Sequence, residues 1–163
     1  MSGALRVLVA EIGRDWSAMV KHAARVADVL AEPPLAPDDW RSLAALAGTI
    51  DAWYTALEAI GERVARTFEG VPSRGPDWHR RLLETMSLSI DGVRDAVIAE
   101  SGLVDLRELL GFRHVHRHAY HAELDPVRLT ELARRLVRVH VAVGADLDRF
   151  VARLRGGFDR GVT

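Results

Sequence analysis

Cysteine is absent from the chain. Without a thiol there is no disulfide framework, no thiolate metal site and no cysteine nucleophile, and such a composition suits a reducing cytosol. Long hydrophobic runs are missing as well: no apolar stretch approaches the roughly 20 residues needed to span a bilayer. The first residues, MSGALRVLVAEIGRDW, soon meet Glu11, Arg14 and Asp15 and lack the charged-then-apolar plan of a signal peptide. The expectation is a soluble, cytoplasmic protein with no membrane partner. Lysine is nearly absent too, Lys21 being the one example, and this arginine bias carries no functional weight. Nor is there an excess of either charge. The 22 basic and 23 acidic residues leave a net charge of −1, which argues against coating nucleic acid by bulk charge and leaves room only for a local patch.

What is present is length enough for one core and a strong helical period. The 163 residues are read as a single domain, 1–163. Apolar residues at Leu5, Leu8, Val9, Ile12, Trp16, Met19, Val20, Ala23, Val26 and Leu30 recur in steps of three and four, so they share one helix face. Pro33 and Pro34 end that helix. A second helix opens after Pro37, with Asp38 or Asp39 as its cap. It carries a stripe from Trp40 through Leu43, Leu46, Ile50, Leu57, Ile60 and Val64 to Phe68, and it stops at Gly70. A shorter helix starts near Asp77; at its start Trp78 is read as packing and His79 as a local cap or local pair, both outside any site. The stretch from Ser89 to Ser101 has no clear period, and Gly92 and Gly102 bracket a break. A fourth helix begins near Leu103, and Pro126 suits the first position of a fifth. No segment alternates with period two. The expected fold class is all-α, an antiparallel bundle of four to five helices.

One stretch does not read as core. Four of the seven histidines lie in Arg113-His114-Val115-His116-Arg117-His118-Ala119-Tyr120-His121, together with two arginines, and no carboxylate follows until Glu123. Four readings remain open on residue chemistry alone. The stretch is a solvated helix end whose cations favour the C-terminal dipole. Or His114, His118 and His121, at i, i+4 and i+7, share a metal, although no carboxylate is interleaved and two arginines repel a cation. Or it is a catalytically silent phosphate or nucleotide pocket. Or it cleaves RNA without metal, histidine moving protons at the ribose 2′-hydroxyl and the leaving oxygen while arginine holds the phosphorane. Arg113 and His118 are the minimal pair for that chemistry. On a straight helix they stand about 140° out of phase, so they meet only if the helix ends between them or a second protomer completes the site.

The order Arg113-x-x-x-x-His118-x-Tyr120 resembles the R-x-x-x-x-H-x-Y motif of HepT-like toxins, a branch of the HEPN superfamily of ribonucleases. The likeness extends to the lead-in Leu109-Leu110-Gly111-Phe112-Arg113-His114, to Tyr54-Thr55-Ala56-Leu57-Glu58, to the run from Asp77 to Met86, and to Glu123-Leu124-Asp125-Pro126-Val127-Arg128-Leu129. It covers most of the chain from about Leu43 onward. The resemblance implies a HEPN-like fold and a homodimer whose motifs face one cleft. It implies a metal-independent endoribonuclease acting on an RNA substrate with no cofactor, Arg113 and His118 being catalytic and His114 their polar helper. Many members carry Asn where this chain has His114. The resemblance further implies a type VII-like toxin–antitoxin pair, with a minimal nucleotidyltransferase antitoxin that silences the toxin by AMPylation of Tyr120. His116, Arg117 and His121 are expected RNA contacts. The alternative is a non-catalytic HEPN subunit that binds the nucleotidyltransferase.

Overall fold

A computed structural model describes residues 2–70, 74–118 and 123–156. Five α-helices make up most of the described chain: α1 (Gly3–Ala31), α2 (Trp40–Phe68), α3 (Trp78–Met86), α4 (Leu103–His118) and α5 (Pro126–Gly156). Among the described residues there is no strand, only an isolated bridge between Ile90 and Arg94. The fold is an all-α bundle, and no described helix is long and apolar enough to cross a membrane.

The helix limits follow from local chemistry. At the start of α1 the Ser2 hydroxyl accepts from the Leu5 amide, and at the start of α2 the Asp39 carboxylate accepts from the Ser42 amide at 3.2 Å. Beyond the end of α2 the chain turns at Gly70 with φ of +91°, a left-handed conformation that suits glycine. Pro126 occupies the first position of α5, where its missing N–H costs nothing.

Ion pairs record how the helices run. Arg63, late in α2, binds Glu11 and Asp15, early in α1. Asp105 at the start of α4 holds Arg135 and Arg138 of α5, while Glu108, further along α4, holds Arg128. Rising numbers on one helix meet falling numbers on the next, so both pairs are antiparallel. The core between them is built from the periodic apolar positions, including Leu8, Ile12, Met19, Ile50, Trp53, Leu57, Leu106, Leu109, Leu136 and Phe150, all 2% exposed or less. Two positions of the expected stripes do not join it. Trp40 is 67% exposed at the first turn of α2 and lies beside Arg41, and Val20 faces solvent on α1.

The segment that lacked a period is organised by a buried cation. The Arg94 guanidinium binds Glu69 at 2.7 Å and the carbonyls of Thr85, Leu88 and Asp95, so its five N–H groups are largely used on the backbone of its own neighbourhood. The amides of Val97 and Ile98 then return to the Met86 carbonyl, and both side chains enter the core.

A half-buried polar group sits where α1, α2 and α5 meet. The His140 ring stacks on Trp16 at 4.5 Å, and its Nδ1 accepts from the Trp53 indole N–H at 3.2 Å. Trp16 itself presses on Gly144, where a Cβ would stand 2.8 Å from the ring. Burial holds the His140 pKa below its ordinary value, because a charged ring there loses solvation. The folded protein therefore resists a proton that the unfolded chain accepts near pH 6.5. This contribution to stability is complete above about pH 6.5 and is lost as pH falls below it, at up to about 1.4 kcal/mol per pH unit. Thermal melts from pH 7.5 to 5.0 check this. Wild type should lose stability more steeply than His140→Phe, and parallel curves would remove His140 as the cause.

Candidate active site

The polar face of α2 carries Asp51, Thr55, Glu58 and Glu62 at spacings of four, three and four, which aligns them along one side of the helix. α4 packs antiparallel against that side. Arg113 and Arg117, four apart on α4, reach back into the strip. The Arg113 Nη2 lies 2.8 Å from Glu58 Oε2, and its Nε lies 3.3 Å from Asp51 Oδ1. Both Arg113 and Glu58 are buried, at 7% and 8% side-chain exposure. The approach of Nε to Asp51 lacks hydrogen-bond geometry, which leaves a buried N–H without a partner among the described residues. Arg117 is held more conventionally. Its Nε and Nη2 bind the two Asp51 oxygens at 3.0 and 3.1 Å, and Nη2 also reaches the Thr55 hydroxyl.

Glu58 is the hub. Its second oxygen meets His79 Nδ1 from the first turn of α3, and the His79 ring packs on Trp78 with centroids 3.8 Å apart. Burial pushes the Glu58 carboxyl above the usual carboxylate range; Arg113, then His79 and Arg117, oppose that rise without cancelling it. The arrangement is a bridged row, histidine to glutamate to arginine, across three helices.

Two cavities open on this row. One, of about 290 Å³, lies among Thr55, Glu58, Glu62, Arg63, Arg66, Trp78, His79, Arg113 and Arg117. The other, of about 500 Å³, is a groove bordered by Pro76, Asp77, His79, Arg80, Leu110, Gly111, Arg113, His114, Arg117 and His118. His79, Arg113 and Arg117 border both.

α4 runs unbroken from Leu103 to His118, so the helix does not end between Arg113 and His118. Arg113 faces α2 while His118 is exposed, as their phase difference requires. They nevertheless border one groove. His118 Nδ1 lies 2.8 Å from the His114 carbonyl oxygen, which only accepts, so Nδ1 carries the proton and Nε2 is the nitrogen that exchanges one. The His114 ring lies against that of His118, with centroids 4.6 Å apart.

The remaining expected site residues are not gathered here. His116 stacks on Phe112 and borders a separate groove with Glu123, Leu124 and Arg128. Arg117 is on the site, but its guanidinium is engaged with Asp51 and Thr55. Tyr120 and His121 lie outside the described residues. His121 is also the third member of the histidine set that one open reading gave to a metal, and among the described residues no cluster of three metal-ligating side chains forms.

Two readings of the sequence need correction. The stretch from Arg113 to His118 is not an uncompensated basic patch, because Asp51 and Glu58 arrive from more than fifty residues upstream to neutralise its arginines. And His79, set aside as local capping, binds Glu58 and borders both cavities. One signal for Glu58 was available: a glutamate adjoining the apolar positions Tyr54, Leu57 and Gly61 of α2 is a charge in a place where burial demands a partner.

A family model described as HepT-like protein matches residues 45–154. No curated protein and no solved structure matches the chain.

Proposed function

The chain belongs to the HepT-like family, and on that footing we propose that it is the toxin of a type VII-like toxin–antitoxin pair, a metal-independent endoribonuclease of one domain. The observation that carries this reading is the groove of about 500 Å³ that Arg113, His114 and His118 border together. In that groove His118 Nε2 takes the proton of a ribose 2′-hydroxyl, which attacks the adjacent phosphorus. Arg113 holds the charge that gathers on the phosphorane, its geometry fixed by Asp51 and Glu58. His114 steadies His118 through its backbone carbonyl and its ring.

Purified protein should cut RNA in excess EDTA and leave 2′,3′-cyclic phosphate ends. Activity that vanishes in chelator and returns with a divalent ion would overturn the mechanism.

Two copies facing each other across the groove form the homodimer, and a minimal nucleotidyltransferase is the antitoxin. AMPylation of Tyr120, two residues past His118, places about one negative charge and a large group beside the phosphate site. Tyr120→Phe should remain a nuclease that the nucleotidyltransferase and ATP fail to silence. Equal silencing without a mass increase would mean that the antitoxin acts by binding alone.

The pairing of Arg113 and Arg117 with Asp51 and Glu58 favours one other reading, a non-catalytic subunit in which these arginines only hold α4 to α2. Tight binding of the nucleotidyltransferase by a protein that leaves all RNA intact would establish it.

A further inference from the structure

We propose that His79 is the general acid of the cleavage, a second proton carrier supplied by the same chain as Arg113 and His118. The inference rests on the nuclease reading above and completes its proton balance. Transesterification of RNA moves two protons. The 2′-O–H bond breaks and its proton goes to one base, the O2′–P bond forms, the P–O5′ bond breaks, and O5′ takes a proton from an acid. Nothing is oxidised, and the products are a 2′,3′-cyclic phosphate and a 5′-hydroxyl. His118 accounts for only one of these transfers.

Within the described chain, His79 meets the geometric needs of the other. It borders the same groove as Arg113 and His118, and it comes from a different helix, α3 rather than α4. It is not a free rotor, because Nδ1 is held on the buried Glu58 carboxylate and the ring lies on Trp78. A carboxylate accepts the Nδ1 proton, which leaves Nε2 as the nitrogen that gains and releases a proton, the same logic that orients a histidine through a carboxylate in other acid–base sites. Glu58 also joins His79 to Arg113, so the acid and the phosphate-holding cation are set by one buried group. Both rings hold their Nδ1 protons on an acceptor and act through Nε2, so the roles divide by what lies behind each ring: His118, on a neutral backbone carbonyl, offers its Nε2 lone pair as base, and His79, whose imidazolium charge faces the Glu58 carboxylate, gives the proton. The charged and titratable groups that line the two cavities with His79 are Glu58, Glu62, Arg63 and Arg66 of α2, Arg113, His114, Arg117 and His118 of α4, and Asp77 and Arg80 at its own helix start. Of the other described histidines, His22 lies on α1, His140 is packed between Trp16 and Trp53, and His116 faces a different groove; His114 borders this groove, but from α4 with its ring against that of His118.

The test compares ordinary RNA with an RNA in which sulfur replaces the O5′ leaving atom, since a thiolate departs without being protonated. His79→Asn keeps a donor for Glu58, and His79→Gln fills the ring's length; neither transfers a proton. Both should slow cleavage of ordinary RNA by about 10²–10³-fold and return to near the wild-type rate on the sulfur substrate. His118→Ala, lacking the base, should be slow on both. Wild-type speed of the His79 variants on ordinary RNA, or an equal loss on both substrates, overturns the assignment while leaving the nuclease reading intact. A wild-type protein that cuts neither substrate sinks both. Thermal melts establish that the variants fold; should both fail to fold, the wild-type pH profile decides. With ordinary RNA the rate should fall at alkaline pH as the acid is lost, and with sulfur that fall should disappear. A fall that persists on sulfur overturns the proposal.

Discussion

Replacing Arg113 with alanine should both unfold the protein more easily and silence it. The guanidinium is buried between Glu58 and Asp51 and is the permanent counter-charge, 2.8 Å away, of a carboxylate at 8% exposure. Breaking a buried pair by deleting one partner typically costs about 3–5 kcal/mol, because the remaining charge is left desolvated. For a chain of this length each kcal/mol moves the melting temperature by roughly 2–4 °C, so a drop on the order of 10 °C is expected at neutral pH. The effect carries a pH signature. Glu58 already sits above the usual carboxylate range through burial, and without Arg113 it rises further. A raised folded-state carboxyl favours the protonated form, so the deficit should shrink as pH falls and Glu58 becomes neutral. Arg113→Lys should recover only part of the stability, since one ammonium on a flexible stem cannot span Asp51 and Glu58 as a planar fork does. Urea or thermal unfolding at pH 7.5 and pH 5 measures both. A variant as stable as wild type at pH 7.5 would show that the row is not a supporting element. Arg113→Lys with full stability and full cleavage would make the arginine a mere charge.

The second large effect is expected at His118, and it is the opposite kind. His118 is exposed at the last position of α4, and its one described hydrogen bond is to the carbonyl four residues back. His118→Ala should change stability by no more than about 0.5 kcal/mol, the range usual for surface substitutions. Cleavage of RNA should fall by about 10²–10⁴-fold, the usual contribution of a positioned proton-transfer group. Single-turnover cleavage and a thermal melt of the same preparation give both numbers. The contrast with Arg113→Ala matters more than either result alone, because a nuclease site makes the exposed residue the more damaging per unit of stability. If His118→Ala cuts RNA as fast as wild type, the chemistry does not run through the motif histidine.

How far the sequence reached can be read from particular residues. Periodicity is a local property, so the faces of α1 and α2, the stop at Pro33 and Pro34, a cap at Asp38 or Asp39 and the start at Pro126 were all legible from neighbours within a few positions. The all-α class followed from the same pattern, and the order Arg113, His118, Tyr120 with its flanks pointed to the family before any coordinates. Local pattern failed where a residue's partner is remote. Nothing near Ser89 to Ser101 announces that Arg94 will tie its own loop together through Glu69 and three carbonyls. The basic run on α4 looked unpaired because its carboxylates, Asp51 and Glu58, lie on another helix. His79 looked like a helix cap for the same reason. The sequence by itself determined which residues form helices, which faces they bury and which motif they carry, because those depend on spacing along one chain segment. Only the tertiary structure decided that the motif arginine is a buried, charge-matched element and that a histidine from α3 shares its groove, because charge compensation and cavity walls depend on which helices pack side by side.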